Sequence, residues 1–231
     1  GLPTMVAIAV GILGTGLLGI VLDRTLMQPV YRQRGEARIL LGLLLMLGVG
    51  FVIDGILEWR YPIEALNLRI AGEPFEIGGL KIRRGSVLAS AVIMAVGLVL
   101  VAFFRLTTFG RATRSVIQDE EGARLCGINP ATVRTAIFGL SGVLAGIVAI
   151  TQAMTSPVVS TAGVSLTIFA LIVAVVGGLG SVSGAFLAGI LLGIVNTLSA
   201  FYIGTFVSSI ILVVAAAVTI LFRPQGLLGS A

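Results

Sequence analysis

The sequence predicts an all-α membrane protein, a polytopic bundle of about seven helices that cross a bilayer. Hydrophobic residues make up 57% of the 231 residues and charged residues only 11%, whereas a soluble domain carries about 25% charged residues. The mean hydropathy is +1.13, and several apolar stretches reach the roughly 20 residues that a spanning helix needs. Such a chain has too few polar side chains to cover a water-facing surface, which excludes an ordinary soluble enzyme.

The apolar stretches give the individual helices in chain order. Six stretches are long enough: 5–22, 39–57, 87–104, 130–154, 166–198 and 206–222. The fourth follows Asn129, a favourable N-cap, and places Pro130 at the first helical position. The fifth is too long for one crossing, so we expect it to break at its glycines into two crossings or a hairpin of half-helices. The last ends before Pro224, which cannot continue a helix. Nothing resembles a linker, so we predict one membrane domain over 1–231.

Arginines in the loops indicate the orientation. If every stretch crosses, ten arginines fall on one side: Arg24, Arg32, Arg34, Arg38, Arg105, Arg111, Arg114, Arg124, Arg134 and Arg223. The other side receives five basic residues, mixed with acids: Arg60, Arg69, Lys81, Arg83 and Arg84. We therefore expect an inner loop at 105–134 and an outer loop at 58–85. The net charge of +5 suits this orientation and contact with anionic lipid, and does not imply binding to nucleic acid.

Part of the outer loop has the alternation of a β-hairpin. Apolar and charged side chains alternate over 75–82 around Gly78-Gly79, a two-residue turn signature. The predicted register pairs Phe75 with Ile82, Glu76 with Lys81 and Ile77 with Leu80. This hairpin either caps the helix ends or contacts an extracytoplasmic partner.

Several kinds of chemistry are excluded by the residues that the sequence lacks. It has no histidine, which excludes Ser-His-Asp catalysis and histidine-ligated metal sites. Cys126 is the only cysteine, so the sequence offers no internal disulfide or thiolate cluster. The only lysine, Lys81, precedes Ile82, whereas a phosphate-binding P-loop needs Gly-Lys-Ser/Thr. If ATP drives this protein, another subunit must hydrolyse it.

The inner loop carries the most informative pattern. Residues 111–127 are predicted to be largely helical, with Glu120 and Arg124 spaced to pair across one turn. Gly127 suits the position just past a helix end, and Asn129 then starts the next helix. A charged helix between two spans is often only a solvated connector. One held tightly at both ends also suits a part that transmits force.

Several motifs in the chain resemble those of ABC importer permeases. Glu121-Gly122-Ala123, followed by Gly127, is similar to their Glu-Ala-Ala…Gly loop, with Gly122 in place of the middle alanine. The closer resemblance is to the H-type permeases of branched-chain amino acid transporters. It is carried by Gly110-Arg111-Ala112, Gln118-Asp119, Gly127-Ile128-Asn129, Gly177-Gly178-Leu179-Gly180-Ser181, Gly184-Ala185 and Phe222-Arg223-Pro224-Gln225-Gly226-Leu227. Members normally carry further N-terminal membrane segments, so we expect this chain to be N-terminally incomplete.

The resemblance implies a role for the inner loop and a set of partners. In the family this loop forms a coupling helix that docks on an ATPase subunit, which assigns coupling to Asp119, Glu120, Glu121, Gly122, Ala123, Arg124 and Gly127. The implied partners are a second homologous permease, two cytoplasmic ATPase subunits that bind ATP and Mg²⁺, and an extracytoplasmic substrate-binding protein. The chain itself is expected to hold no cofactor or metal. It is expected to be a multi-pass protein of a bacterial or archaeal cytoplasmic membrane.

Two further groups of residues are candidates for movement and transport. Four glycines form one cluster that suits close helix packing and is compatible with a hinge: Gly177, Gly178, Gly180 and Gly184. Asp54 is the one acid inside a predicted stretch, and either lines the substrate route or pairs with Arg60. Gln152 and Asn196 either line a polar route or form hydrogen bonds between helices.

The leading functional hypothesis is a permease subunit of an ATP-driven importer of branched-chain or related amino acids. Relatives in the same family that serve urea or short-chain amides resemble this chain as well, so these substrates stay open. A passive channel is an alternative of a different class. A membrane-embedded enzyme is disfavoured because no catalytic pair lies within the predicted spans.

Overall fold

The computed structural model describes residues 4–31, 33, 36–61, 75–77, 80–159, 162–178, 180–223 and 226. The elements in chain order are α1 (Thr4–Leu22), a π-helical turn (Asp23–Met27), α2 (Gln28–Tyr31), α3 (Glu36–Arg60), β1 (Phe75–Ile77), β2 (Leu80–Ile82), α4 (Arg84–Leu106), α5 (Thr108–Gln118), α6 (Glu120–Leu125), α7 (Pro130–Thr155), α8 (Ala162–Gly177), α9 (Val182–Tyr202) and α10 (Thr205–Phe222). The predicted Gly78-Gly79 turn, most of the outer loop and the inner arginines Arg32 and Arg34 lie outside these ranges.

The helices confirm the predicted fold class. Five are long and apolar enough to cross a membrane: Met5–Tyr31, Leu40–Arg60, Arg84–Leu106, Pro130–Thr155 and Val182–Tyr202. Two shorter apolar helices, Ala162–Gly177 and Thr205–Thr219, lie where the remaining crossings were predicted. In the described residues the strands are confined to the hairpin, whose register is the predicted one: Phe75 opposite Ile82, Glu76 opposite Lys81 and Ile77 opposite Leu80.

The first helix is longer than predicted. It does not stop at Leu22 but continues through the π-helical turn and α2 to Tyr31. The extension is explained by Asp23, which is only 2% exposed. Its carboxylate accepts hydrogen bonds from the hydroxyl groups of Tyr31 and Thr135, so the acid is satisfied inside the protein. The prediction that Asp54 is the only acid in a span is therefore wrong.

The chain divides into two compact units. One contains residues 1–95 and 119–161, and the other contains residues 96–118 and 162–231, so α4 contributes to both. The prediction of a single domain over 1–231 stays a prediction.

In the first unit, α1 and α7 pack against each other in antiparallel directions. A Cβ atom on Gly19 would collide with the carbonyl group of Phe138, and one on Gly142 would collide with that of Thr15. The two backbones thus approach closely only because these positions are glycine, which is how helices commonly associate in a membrane. This contact brings the C-terminal end of α1 beside the N-terminal end of α7.

In the second unit, α8, α9 and α10 surround a small apolar core formed by Val176, Ala188, Leu192 and Leu212. The second half of α4 packs on α9, where the ring of Phe186 occupies the space that a side chain at Gly97 would need. Most other large apolar side chains of the described helices are exposed. Such exposure is normal for helices that face lipid and unusual in water.

The stretch 166–198 breaks at its glycines, as predicted, into two helices. The helix α8 has 16 residues and α9 has 21. At 1.5 Å per residue these lengths are about 24 Å and 32 Å, close to the roughly 30 Å of a bilayer core. The break therefore lies at one end of both helices, where Ser181 caps α9 by accepting a hydrogen bond from the backbone N–H of Gly184 at 3.1 Å.

Candidate functional site: the inner helical loop

The inner loop contains two helices, α5 and α6, which meet at Asp119. We expected a nearly continuous helix here, and the break is a local consequence of this residue. Asp119 has an extended backbone (φ −150°), and its carboxylate accepts a hydrogen bond from the backbone N–H of Glu121 at 3.0 Å. A side chain that caps the start of one helix cannot lie within a longer one. Gly122 lies directly below this cap, since a Cβ atom there would come within 2.5 Å of the carboxylate of Asp119.

The C-terminal end of α6 is closed as tightly as its start. Gly127 has the left-handed conformation (φ 81°) that was predicted for it. Its N–H donates to the carbonyl of Arg124 at 3.0 Å, and the N–H of Ile128 donates to the carbonyl of Ala123 at 3.0 Å. These two bonds form a Schellman motif. Asn129 then caps α7 by accepting from the N–H of Ala131 at 3.0 Å, which confirms the predicted helix start at Pro130.

The short helix α6 has an inward and an outward face. Ala123 is buried, and Glu120 is partly covered. Glu121 is exposed, and Leu125, one turn further on the same face, is 90% exposed. Of the three acids predicted to form a docking surface, Asp119 is occupied as a cap and Glu120 turns inward. Only Glu121 presents its carboxylate outward without such a role.

Three arginines surround the carboxylate of Glu120. It accepts hydrogen bonds from Arg134 at 2.8 Å, from Arg124 at 3.0 Å and from Arg38 at 3.4 Å. The pair with Arg124 is the predicted one across a turn, whereas Arg38 lies in the first turn of α3 and Arg134 lies near the start of α7. The hydrogen bond from Arg134 holds the pKa of Glu120 below its usual value. Partial burial acts in the opposite direction, and the charges of Arg134 and Arg38 lower the pKa further.

Behind this ion-pair cluster lies a second layer of polar contacts. The guanidinium group of Arg134 lies over the ring of Tyr31, 4.1 Å from its centroid, and that of Arg38 lies 5.2 Å from the same ring. The Tyr31 hydroxyl donates to the carboxylate of Asp23 at 2.9 Å. Thr135, the residue after Arg134, donates to the other oxygen of Asp23. A continuous chain of side-chain contacts thus joins α6 to the end of α1 and the start of α7.

Sequence reasoning did not find Asp23, Tyr31 or the inward role of Arg134. One signal was present. Gly16, Gly19 and Asp23 are spaced by three and four residues, so the face of α1 that packs against α7 continues to Asp23. The contact between Asp23 and Thr135 joins residues 112 positions apart, a separation that local patterns cannot reveal.

The glycine cluster gathers at the break between α8 and α9. A Cβ atom on Gly184 would collide with the carbonyl oxygen of Gly177, and one on Gly177 would collide with the backbone of Ala185. Gly180 has space around its Cα but a φ of 93°, so it is required by its conformation and not by packing. Gly178 is met by Gly226 from the segment after α10. The glycine motif at this break and the motif that follows α10 therefore contact each other.

The three polar residues predicted for a substrate route have different surroundings. Asn196 accepts a hydrogen bond from the hydroxyl of Ser208, which is 1% exposed, so its side chain joins α9 to α10. Gln152 donates to Ser156 at 3.0 Å at the end of α7. Asp54 is half-buried on α3, and its expected ion pair with Arg60 does not form between these two described residues. Arg60 instead lies over the ring of Tyr61 at 5.1 Å. Their role in a substrate route stays a prediction.

The similarity of the chain to known proteins identifies its family. The sequence model of the family "Branched-chain amino acid transport system / permease component" matches residues 2–222. The chain belongs to this family. Membership of this family and the five helices that are long and apolar enough to cross a membrane show that the permease is a multi-pass protein of the cytoplasmic membrane.

Individual relatives of the permease show how far the similarity extends. The high-affinity branched-chain amino acid permease BraD of Pseudomonas aeruginosa is 28% identical over 236 residues, which cover 99% of this chain and 75% of BraD. The corresponding protein LivH of Escherichia coli K12 is 31% identical over 133 residues, 57% of this chain and 43% of LivH. The probable ABC transporter permease YphD of the same strain is 35% identical over 149 residues, 59% of this chain and 45% of YphD. No solved structure matches the chain.

Proposed function

We propose that this chain is the membrane-spanning permease subunit of an ATP-driven importer of branched-chain or related amino acids. The observation that carries the proposal is α6, a helix capped at both ends that presents Glu121 and Leu125 outward while its other face is anchored to the membrane helices. Family membership and the similarity to BraD and LivH support the substrate class.

The proposal includes partners for each face of the membrane. On the cytoplasmic side, two ATPase subunits bind ATP and Mg²⁺ and grip α6. A second homologous permease completes the pathway, and a substrate-binding protein delivers the substrate from outside. The chain contributes no ATPase site of its own, since its only lysine lacks the Gly-Lys-Ser/Thr context of a P-loop.

Two substitutions, one in α6 and one in the turn that ends it, test the coupling role. Glu121→Lys reverses the only outward-facing carboxylate of α6 that has no capping or ion-pairing role, and like charges facing each other across an interface cost several kcal/mol. Gly127→Val places a β-branched residue at φ 81°, which breaks the Schellman turn. In the reconstituted transporter we expect ATP hydrolysis stimulated by the loaded binding protein, and substrate uptake, to fall together.

The charge series Glu121→Gln and Glu121→Lys serves as the internal control, because a charge-based effect must be larger for lysine than for glutamine. Docking of the binding protein on the outside should survive in all variants. If Glu121→Lys and Gly127→Val both transport at the normal rate with full stimulation, α6 is only a connector. Uptake of leucine, urea and acetamide measured side by side tests the substrate class, and preferred uptake of urea or acetamide would refute it.

A further inference from the structure

Few contacts hold α6 in its position. The helix has six residues, and Ala123 is its only buried side chain. Its covalent connection to α7 is the turn from Cys126 to Asn129. Asp119 joins it to α5 on the other side. The side-chain attachment is through the carboxylate of Glu120, which binds Arg134 and Arg38 from two membrane helices.

The arginine that makes the shortest of these contacts is itself held on its other side. The side chain of Arg134 is 15% exposed, and its guanidinium carbon lies over the ring of Tyr31, 4.1 Å from the centroid. Tyr31 cannot turn freely, because its hydroxyl donates to the buried carboxylate of Asp23. Asp23 is fixed in turn by Thr135, one residue along α7 from Arg134. Each group thus restricts the next one.

We infer that Asp23, Tyr31 and Arg134 form a positioning cluster that fixes the orientation of α6 against α1 and α7. The consequence of this inference rests on the proposed function. A docking helix must transmit displacement, and a rigid chain of contacts from Glu120 to Asp23 carries that displacement to α1. None of the three residues is part of the docking face itself. They act through Glu120.

Two conservative variants separate positioning from general stability. Tyr31→Phe keeps the ring under Arg134 and removes only the hydroxyl that orients it. Arg134→Lys keeps the positive charge but loses the planar group that lies on the ring and binds the carboxylate. Matched controls are Tyr202→Phe, at an exposed tyrosine of α9, and Arg24→Lys, at an exposed arginine beside Asp23.

The single cysteine of the sequence provides a direct readout. Cys126 is exposed and caps α6, so a nitroxide attached to it reports the motion of that helix. We expect higher label mobility in Tyr31→Phe and Arg134→Lys than in the wild type and the two controls. The measurement uses the permease in lipid nanodiscs without ATPase, so it does not depend on the proposed docking. Unfolding temperature is recorded for each variant, since a fold defect would lower it along with label order.

The functional readout uses the assembled transporter. In the two cluster variants we expect stimulation of ATP hydrolysis by the loaded binding protein to fall about five- to tenfold, the range of a modest coupling between sites. Unchanged label mobility in both variants would overturn the inference. Higher mobility with wild-type stimulation would overturn its link to coupling. If the label becomes mobile while Gly127→Val transports normally, the cluster holds α6 as inferred, and the proposed docking role is what fails.

Discussion

Individual residues in the inner loop show which roles a sequence pattern can predict. Gly127 and Asn129 were assigned from local chemistry, a positive φ and a side-chain cap, and both assignments depend on neighbours within a few residues. Glu120 paired with Arg124 as expected from their spacing. The pattern could not show that Glu120 also binds Arg38 and Arg134, because those contacts depend on how α3 and α7 meet the loop.

The charge state of Glu120 gives a pH-dependent prediction at this scale. Its pKa is lowered in the folded protein, chiefly by the hydrogen bond from Arg134. A carboxyl group of this kind contributes stability that is fully present above its ordinary value of about 4.3 and is lost as the pH falls through the lower folded value. We therefore expect wild type to exceed Glu120→Gln in unfolding temperature at neutral pH.

That difference should shrink as the pH falls below about 4. Thermal unfolding in nanodiscs across this range, with a nitroxide at Cys126 as a second probe, provides the measurement. Because Glu120→Gln removes this one carboxyl group, the difference between the two proteins isolates its contribution. A constant difference between the two proteins down to the lowest pH would contradict the assignment.

At the scale of whole elements, length and hydropathy predicted well which segments are helices. They predicted the ends of the helices poorly where the burial of a side chain determines the end. The stretch 166–198 divided where its glycines suggested. The first helix extended past its predicted end, because Asp23 finds two hydroxyl donors inside the protein. A charged residue after an apolar run is normally a sign that a span has ended, and only tertiary contacts reverse it.

The turn between α8 and α9 yields a prediction about close packing. A Cβ atom at Gly184 would collide with a backbone carbonyl, which cannot move as a flexible side chain can. We expect Gly184→Ala to destabilise the protein by about 1–3 kcal/mol, the usual cost of overpacking. Gly163→Ala, also in a helix of this unit but with nothing within 4 Å of the added atom, is the control and should be neutral or slightly stabilising.

Thermal unfolding and substrate uptake, measured for both variants, test this prediction. Wild-type stability of Gly184→Ala would show that the turn can open to admit a side chain. Gly180, which we had expected to pack closely, requires its glycine for a different reason, a φ of 93° with open space around it. Sequence spacing identified the cluster, but it could not separate these two requirements.

At the scale of the molecule, orientation in the membrane follows from the arginine distribution and from contacts within the first unit. Arg38 meets Glu120 near the start of α7, whereas Arg83 donates to the carbonyl of Thr155 at the other end of that helix. Glu120 and Arg83 therefore lie at opposite ends of α7. We predict that Cys126 is cytoplasmic and that residue 79 of the hairpin is external.

Labelling with a membrane-impermeant maleimide tests this topology. Cys126 should react in inside-out vesicles and be protected in intact cells. Gly79→Cys in a Cys126→Ser background should show the reverse pattern, and the Cys126→Ser protein alone gives the blank. Labelling of Cys126 in intact cells, with protection of position 79, would invert the orientation.

The π-helical turn at 23–27 has a consequence for the angular phase of the first helix. A residue in this wider turn advances the helix by fewer degrees than one in an α-helix, so five of them leave Tyr31 roughly a quarter turn from where uninterrupted α-helical spacing would aim it. If this turn tightened to α-helix without losing a residue, Tyr31 would rotate away from Asp23 and Arg134. Deleting one residue removes about 100° of α-helical rotation, which nearly cancels that quarter turn, so the shortened helix should still aim Tyr31 at both partners.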